Sequence, residues 1–223
     1  MNTHPGVVGR KLGMTQVFSA DGSVIACTVV ESKPVVVAKR TQAQDGYDAI
    51  VLGIEERAER HVNKSLGGFY KKANVSPKGT LRELRCSGEF AATFEIGQEV
   101  KLEQIFEEGQ LVDVQGVSRG RGFSGVVRRY NFAGNIQTHG THEYRRHGGS
   151  IGTRMTPGRV KLGQKMPGQH GNVTFSVLNQ RVIKIVPDQN LLLIGGGVPG
   201  ARDQLVVVRG AVRRAGGKPK PSK

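Results

Sequence analysis

Residues 118–172 hold twelve glycines and ten Lys or Arg side chains against a single acid, Glu143. Such a stretch cannot fold around a core of its own. Its apolar residues are too few and too scattered, and glycine adds to the entropy lost on ordering. A structureless segment of this length is uncommon inside a compact domain, so it is expected to be disordered or held by a partner. Its charge identifies the kind of partner. Lys and Arg neutralise phosphates, and Gly lets a backbone come close to a crowded surface. A plain flexible linker would be rich in Ser, Pro or Glu, whereas this one mixes Arg and His with Met, Tyr and Phe. The segment is therefore read as an RNA-contacting element.

The remainder of the chain sets that segment off. The net charge is +15, and its distribution is uneven. Residues 1–117 carry −1, residues 118–172 carry +9, residues 173–208 carry +1 and residues 209–223 carry +6. The near-neutral parts read as a folded body of short β-branched strands: Val24–Val30, Val35–Lys39, Ala49–Ile54, Leu111–Val117, Val173–Val177, Arg181–Val186, Leu191–Ile194 and Leu205–Val208. Turn signals such as Asp21-Gly22, Asp45-Gly46 and Pro199-Gly200 separate them. Strands at this spacing point to a mainly β barrel or sandwich. Two short helices are expected, over 65–74 and 102–107.

Several function classes are set aside on the residues. No apolar run approaches the length of a bilayer-spanning helix, and residues 1–14 lack the apolar stretch of a signal peptide. No basic amphipathic helix suggests a membrane surface. Cys27 and Cys86 are read as free thiols, and no Cys/His spacing suggests zinc. Gly120–Val127 matches a GxGxxGxV pattern. A dinucleotide fold needs a following helix and a later acid, however, and a kinase needs further motifs that this chain lacks. His139, His142, His147 and His170 have only Glu143 nearby as a supporting acid, so base stacking or phosphate bonding is preferred to metal binding. No nucleophile–base pair is found, and no cofactor or small-molecule substrate is expected.

Four stretches resemble a known family: Gly9–Phe18 (GRKLGMTQVF), Val117–Phe132 (VSRGRGFSGVVRRYNF), His147–Asn172 (HGGSIGTRMTPGRVKLGQKMPGQHGN) and Leu191–Asp203 (LLLIGGGVPGARD). In order and spacing the chain resembles bacterial large-subunit ribosomal protein L-three over nearly its whole length. The resemblance implies a mainly β fold with a barrel shared with translation factors. It places the barrel body at 1–117 and 173–208, with a small α+β elaboration roughly over 45–100. Residues 118–172 become a long irregular basic extension that penetrates ribosomal RNA, and 209–223 a basic tail. It further implies a structural constituent of the large subunit, cytoplasmic in the ribosome, that binds 23S-type RNA early in assembly. Ribosomal proteins L-fourteen and L-nineteen are implied as neighbours. The tip, about 149–156, would approach the peptidyl-transferase centre, where RNA does the chemistry. Two departures stand out. Met155 occupies the place of a glutamine that is methylated in some members, and Gly148 stands where many members have Pro.

The expected RNA-binding residues are Arg119, Arg121, Arg128, Arg129, His139, His142, Arg145, Arg146, His147, Arg154, Met155, Arg159, Lys161, Lys165, His170, Arg213 and Arg214. Arg forks bridge phosphates and stack on bases, while Lys acts as a point charge. The rival binding reading is a free RNA chaperone or translation factor sharing the barrel, which high-salt sedimentation with large subunits would separate. The rival enzyme reading is a nucleotide-dependent RNA-modifying protein, which needs motifs absent here.

Overall fold

β-branched residues at alternate positions favour pleated, half-buried strands, and the chain is mainly β. The computed structural model describes residues 4–212. In chain order the strands are β1 (Gly6–Phe18), β2 (Val24–Glu31), β3 (Val35–Arg40), β4 (Ala49–Glu56), β5 (Lys78–Arg85), β6 (Leu111–Val117), β7 (Phe123–Ser124), β8 (Gly168–Gln169), β9 (Thr174–Val186), β10 (Leu191–Gly195) and β11 (Leu205–Gly210). Four short helices accompany them: α1 (Gln42–Asp45), α2 (Lys64–Ala73), α3 (Gly88–Ala92) and α4 (Val126–Tyr130). None of the described helices is long and apolar enough to cross a membrane. The chain divides into two units. One joins the residues up to Val117 with those from Thr174 onward, and the other is Ser118–Val173.

In the first unit, six strands pair antiparallel in the order β1-β11-β6-β9-β10-β2, and β2 pairs back onto β1. Closing the ring leaves none of the six with a free edge, which removes a template for unwanted pairing. A second sheet has the order β3-β4-β5. The doublets Val7-Val8 and Val206-Val207 explain how these layers hold together. Strand side chains alternate between faces. Val7 and Val206 join the cluster inside the ring with Val114, Val182, Leu192 and Ile194. Val8 joins the other cluster with Ile50, Leu52, Leu84 and Phe94, and Val207 packs against it. A strand buried on both faces reads as a continuous apolar run.

Two of the stretches that carry the resemblance meet here. Lys11 donates its ammonium to the carbonyls of Val198 and Gly200, at 2.8 and 3.2 Å. The Thr28 hydroxyl donates to the Gly196 carbonyl at 2.7 Å. Much of the sequence signature in Gly9–Phe18 and Leu191–Asp203 thus fixes a loop. Cys27 and Cys86 are free and buried, and burial pushes both thiols up from the ordinary cysteine value.

The structure departs from the sequence reading at three places. The expected strands 173–177 and 181–186 are one strand, β9, interrupted by a bulge. Asn179 there has φ of 55°, and its N–H donates to the Asp113 carboxylate at 2.9 Å. The polar Asn-Gln pair at 179–180 resembles a turn because a bulge also needs a residue that tolerates the left-handed region. β5 escaped the apolar pattern altogether, since KGTLRELR carries charge on both faces, with exposed Arg82 on the same face as buried Leu84. The helix expected over 102–107 is a single 3₁₀ turn at Leu102–Gln104.

Candidate nucleic-acid interface

The Ser118–Val173 unit carries local order where its composition predicts a structureless stretch. Its ends form a hydrogen-bonded stem. The Ser118 N–H donates to the Val173 carbonyl at 2.9 Å, and Asn172 donates back to Ser118 at 3.2 Å. Further along, Arg121 donates to His170 at 2.8 Å and His170 to Gly122 at 2.9 Å, before β7 pairs with β8. The two legs approach so closely at Gly171 that a Cβ would collide with the Arg119 carbonyl, and the φ of 73° there suits glycine. This stem holds Arg119, Arg121 and Phe123 outward, and Phe123 is 80% exposed.

Above the stem, α4 begins straight after Gly125. A dinucleotide-binding turn opens onto a helix at this point, but at five residues α4 offers only one turn, and its N-cap glycine has no capping side chain. Val126 is buried under it, with the Gly148 backbone close against its methyls and Phe132 adjacent. A side chain at position 148 would crowd Val126, so the glycine serves close packing. Arg128 points to solvent, whereas Arg129 turns inward. Arg129 donates to the Met166 carbonyl at 2.7 Å and lies 4.9 Å from the Tyr130 ring centroid, and Lys165 approaches the same ring at 5.6 Å. Arg129 therefore braces the two legs.

A second crossing lies farther out. Asn135 donates its backbone N–H to the Arg145 carbonyl at 3.0 Å and its side-chain amide to the Tyr144 carbonyl at 2.9 Å. The Arg145 guanidinium donates to the Thr141 carbonyl at 3.1 Å. His142, Arg146 and His147 are exposed around this turn, with His147 edge-on to Tyr144 at 4.8 Å. His139 is exposed with φ of 56°. No group of His, Cys, Asp and Glu among the described residues could hold a metal.

From Gly149 to Lys165 every residue is exposed, including Arg154, Arg159, Lys161 and Lys165. The tip is shaped by local bonds: the Ser150 hydroxyl donates to the Gly152 carbonyl at 2.8 Å, and the Thr153 hydroxyl to Thr156 at 2.6 Å. Met155 and Leu162 stand fully out, at 85% and 104% exposure. His170 is half-buried in the stem. Arg213 and Arg214 lie outside the described residues.

None of the ten Lys and Arg side chains of this unit makes an ion pair among the described residues, whereas ion pairs such as Arg10–Glu55 and Arg40–Asp45 lie in the other unit. A lattice of unneutralised cations on a backbone braced by its own carbonyls can bind phosphates at several points. The organising residues that sequence reasoning passed over are Gly134-Asn135 and Gly171-Asn172. A Gly-Asn dipeptide signals a turn, but the sequence does not reveal that each one closes a crossing.

The family described as Ribosomal protein L3 matches residues 78–190. The protein called "Large ribosomal subunit protein uL3" of Sorangium cellulosum (strain So ce56) is 57% identical over 218 residues, covering 98% of this chain and 94% of that protein. Its namesake in Myxococcus xanthus (strain DK1622) is 43% identical over 212 residues, with 94% of each chain covered. A third, in Carboxydothermus hydrogenoformans (strain ATCC BAA-161 / DSM 6008 / Z-2901), is 46% identical over 209 residues and covers 93% of this chain and 98% of its own.

Proposed function

The chain belongs to the ribosomal protein L3 family, and from that premise we propose how its two units divide the work. It is a structural constituent of the large ribosomal subunit, located in the ribosome, and it binds ribosomal RNA. The first unit is a docking platform: its ring of six strands is a translation-factor-like barrel, and the β3-β4-β5 sheet with its short helices is the α+β elaboration. Residues 118–172 enter between RNA helices early in assembly. Arg119, Arg121 and Arg128 neutralise phosphates near the stem, Arg145, Arg146 and His147 do so at the second crossing, and Arg154, Arg159 and Lys161 serve the tip. Arg213 and Arg214 in the basic tail add to the same charge. L-fourteen and L-nineteen are the neighbouring proteins. The tip approaches the peptidyl-transferase centre, and the chain takes no part in chemistry.

The observation that carries this reading is the set of ten cations without an internal ion pair, mounted on a backbone that braces itself. Arg154→Ala tests the tip. Arg154 can donate several fixed hydrogen bonds to phosphate or base edges, so its loss should loosen the nearby RNA to chemical probing. Peptide-bond formation in single-turnover assays on reconstituted subunits should keep a similar rate. A loss of about 10²-fold or more, the scale of a general acid or base, with the RNA structure intact, would make the chain a catalytic participant and refute the reading.

A further inference from the structure

The near-zero charge of residues 1–117 conceals a segregation. Residues 57–78 carry six Lys or Arg (Arg57, Arg60, Lys64, Lys71, Lys72 and Lys78) against one acid, Glu59, while the rest of 1–117 carries eight against fourteen. At the centre of this basic stretch is α2, over Lys64–Ala73. Lys78 is engaged with Glu56 at 3.5 Å and Arg60 with His61 at 3.2 Å. Lys64, Lys71 and Lys72 are exposed and in no ion pair among the described residues.

Two features of α2 work against the helix itself. Its interior contains Gly67 and Gly68, and glycine is less favourable than Ala in a helix interior. Neither is required by the fold, because a Cβ at either position would meet nothing within 4 Å. Lys64 is the first helical residue, where the positive end of the helix dipole disfavours a cation. Lys71 and Lys72 sit in the last turn, where the dipole explains them. Lys64, Gly67, Gly68 and Lys71 fall at i, i+3, i+4 and i+7, hence on one face. Together with Asn63 and Glu59 they line a groove of about 650 Å³.

We propose that this groove is a second RNA-binding surface, separate from the extension, in which one strand's sugar-phosphate backbone crosses α2 over Gly67 and Gly68 between Lys64 and Lys71. The bare helix backbone gives the strand room for close approach. The two lysines are two turns, roughly 10 Å, apart, and so meet different phosphates. The Asn63 side chain already caps the Leu66 N–H at 2.8 Å, so the Lys64 ammonium and the positive end of the helix dipole draw the anion, and the ligand offsets the unfavourable placement of Lys64. An acidic protein segment is the competing occupant. It is disfavoured because the glycines add nothing to a contact made by two long lysine side chains.

The inference rests on the ribosomal reading and is tested with the full chain and protein-free large-subunit ribosomal RNA. The pair Gly67→Ala and Gly68→Ala should raise the melting temperature by about 2–4 °C per substitution and weaken RNA binding by about tenfold or more. A purely structural role for the glycines would lower both or neither. The pair Lys64→Gln and Lys71→Gln should leave melting in place and flatten the log–log salt dependence by roughly 1.4–1.8, at about 0.7–0.9 per phosphate. If the alanine pair melts lower, the slope of the glutamine pair decides alone. Wild-type affinity and slope in both pairs overturn the proposal. Variants that bind RNA normally but are left out of reconstituted subunits overturn it in favour of an acidic protein partner. Failure of the wild-type chain itself to bind the RNA would count against the ribosomal reading instead.

Discussion

The two units of this chain are held together by different physics. In the first, two apolar clusters are closed to water, with Leu52, Leu192 and Ile194 fully buried. In the second, Val126 is the buried hydrophobic side chain, and the shape is held by backbone and Arg-to-carbonyl hydrogen bonds. Ile136, Ile151, Met155 and Leu162 all face outward there. Hydrogen bonds near water contribute only about 1 kcal/mol each, whereas burial of a large aliphatic side chain contributes roughly 1.5–3 kcal/mol. A body with its own core sustains itself. A braced segment with its apolar side chains outward is completed by what surrounds it.

The strongest test of that contrast removes the segment. Replacing residues 118–173 by a short Gly-Ser turn should leave a body that melts cooperatively near the temperature of the full chain. RNA binding should fall by orders of magnitude, and its log–log salt slope should flatten by roughly 3–5 if about half of the ten cations contact phosphate. An unchanged slope would mean that the body holds the RNA by itself.

A smaller effect separates the two kinds of leucine. Leu192→Ala, in the ring interior, should cost about 2–5 kcal/mol by denaturant unfolding. Leu162→Ala, at the fully exposed tip, should change stability by less than about 0.5 kcal/mol. Equal costs would show that the tip packs on something within the chain. Gly171→Ala addresses the stem alone. With φ of 73° and the Arg119 carbonyl in the way, it should open the stem at a local cost of about 1–3 kcal/mol. Limited proteolysis should then cut near 119–122 sooner, while the melting of the body stays put.

The smallest effect depends on pH and belongs to the body, because both cysteines lie there. Burial raises the Cys27 and Cys86 thiol values, so the folded state keeps protons that the unfolded chain releases. Their contribution is intact below the ordinary cysteine range, about 8.5, and declines as pH rises through it. The urea midpoint should therefore drop above that pH in the full chain and in the excised body alike. In Cys27→Ala with Cys86→Ala it should drop less. An identical pH profile in the double variant would remove the thiols from the account.

The sequence was most readable where one physical demand acted alone. Leu111–Val117 alternates between a buried and a more open face and announces itself as a strand, and Val24–Val30 does so through its β-branched residues. β5 was hidden because both of its faces carry charge, and β9 was split because a bulge and a turn draw on the same residues. For the interface, the cations of 118–172 could be named from composition, but their division of labour could not. Arg128 and Arg129 are neighbours of identical chemistry, yet one reaches solvent and the other braces Met166. A pairwise crossing such as Gly134-Asn135 with Tyr144-Arg145 depends on chain geometry that no local pattern records. α2 shows a third kind of loss, in which averaging charge over 117 residues erased a basic patch inside a neutral total.

The pairing of Val117 with Thr174 also bears on how such a chain can change over generations. The long excursion leaves and rejoins the chain at two adjacent antiparallel strands, whose paired residues sit about 5 Å apart whatever lies between them. Residues gained or lost inside the excursion do not shift the register of β6 against β9. Doubling a flexible connection costs only about 0.6 kcal/mol in closure entropy. The seam is thus a place where lineages can lengthen, shorten or re-letter the RNA-facing segment to follow their own RNA, with the platform left untouched.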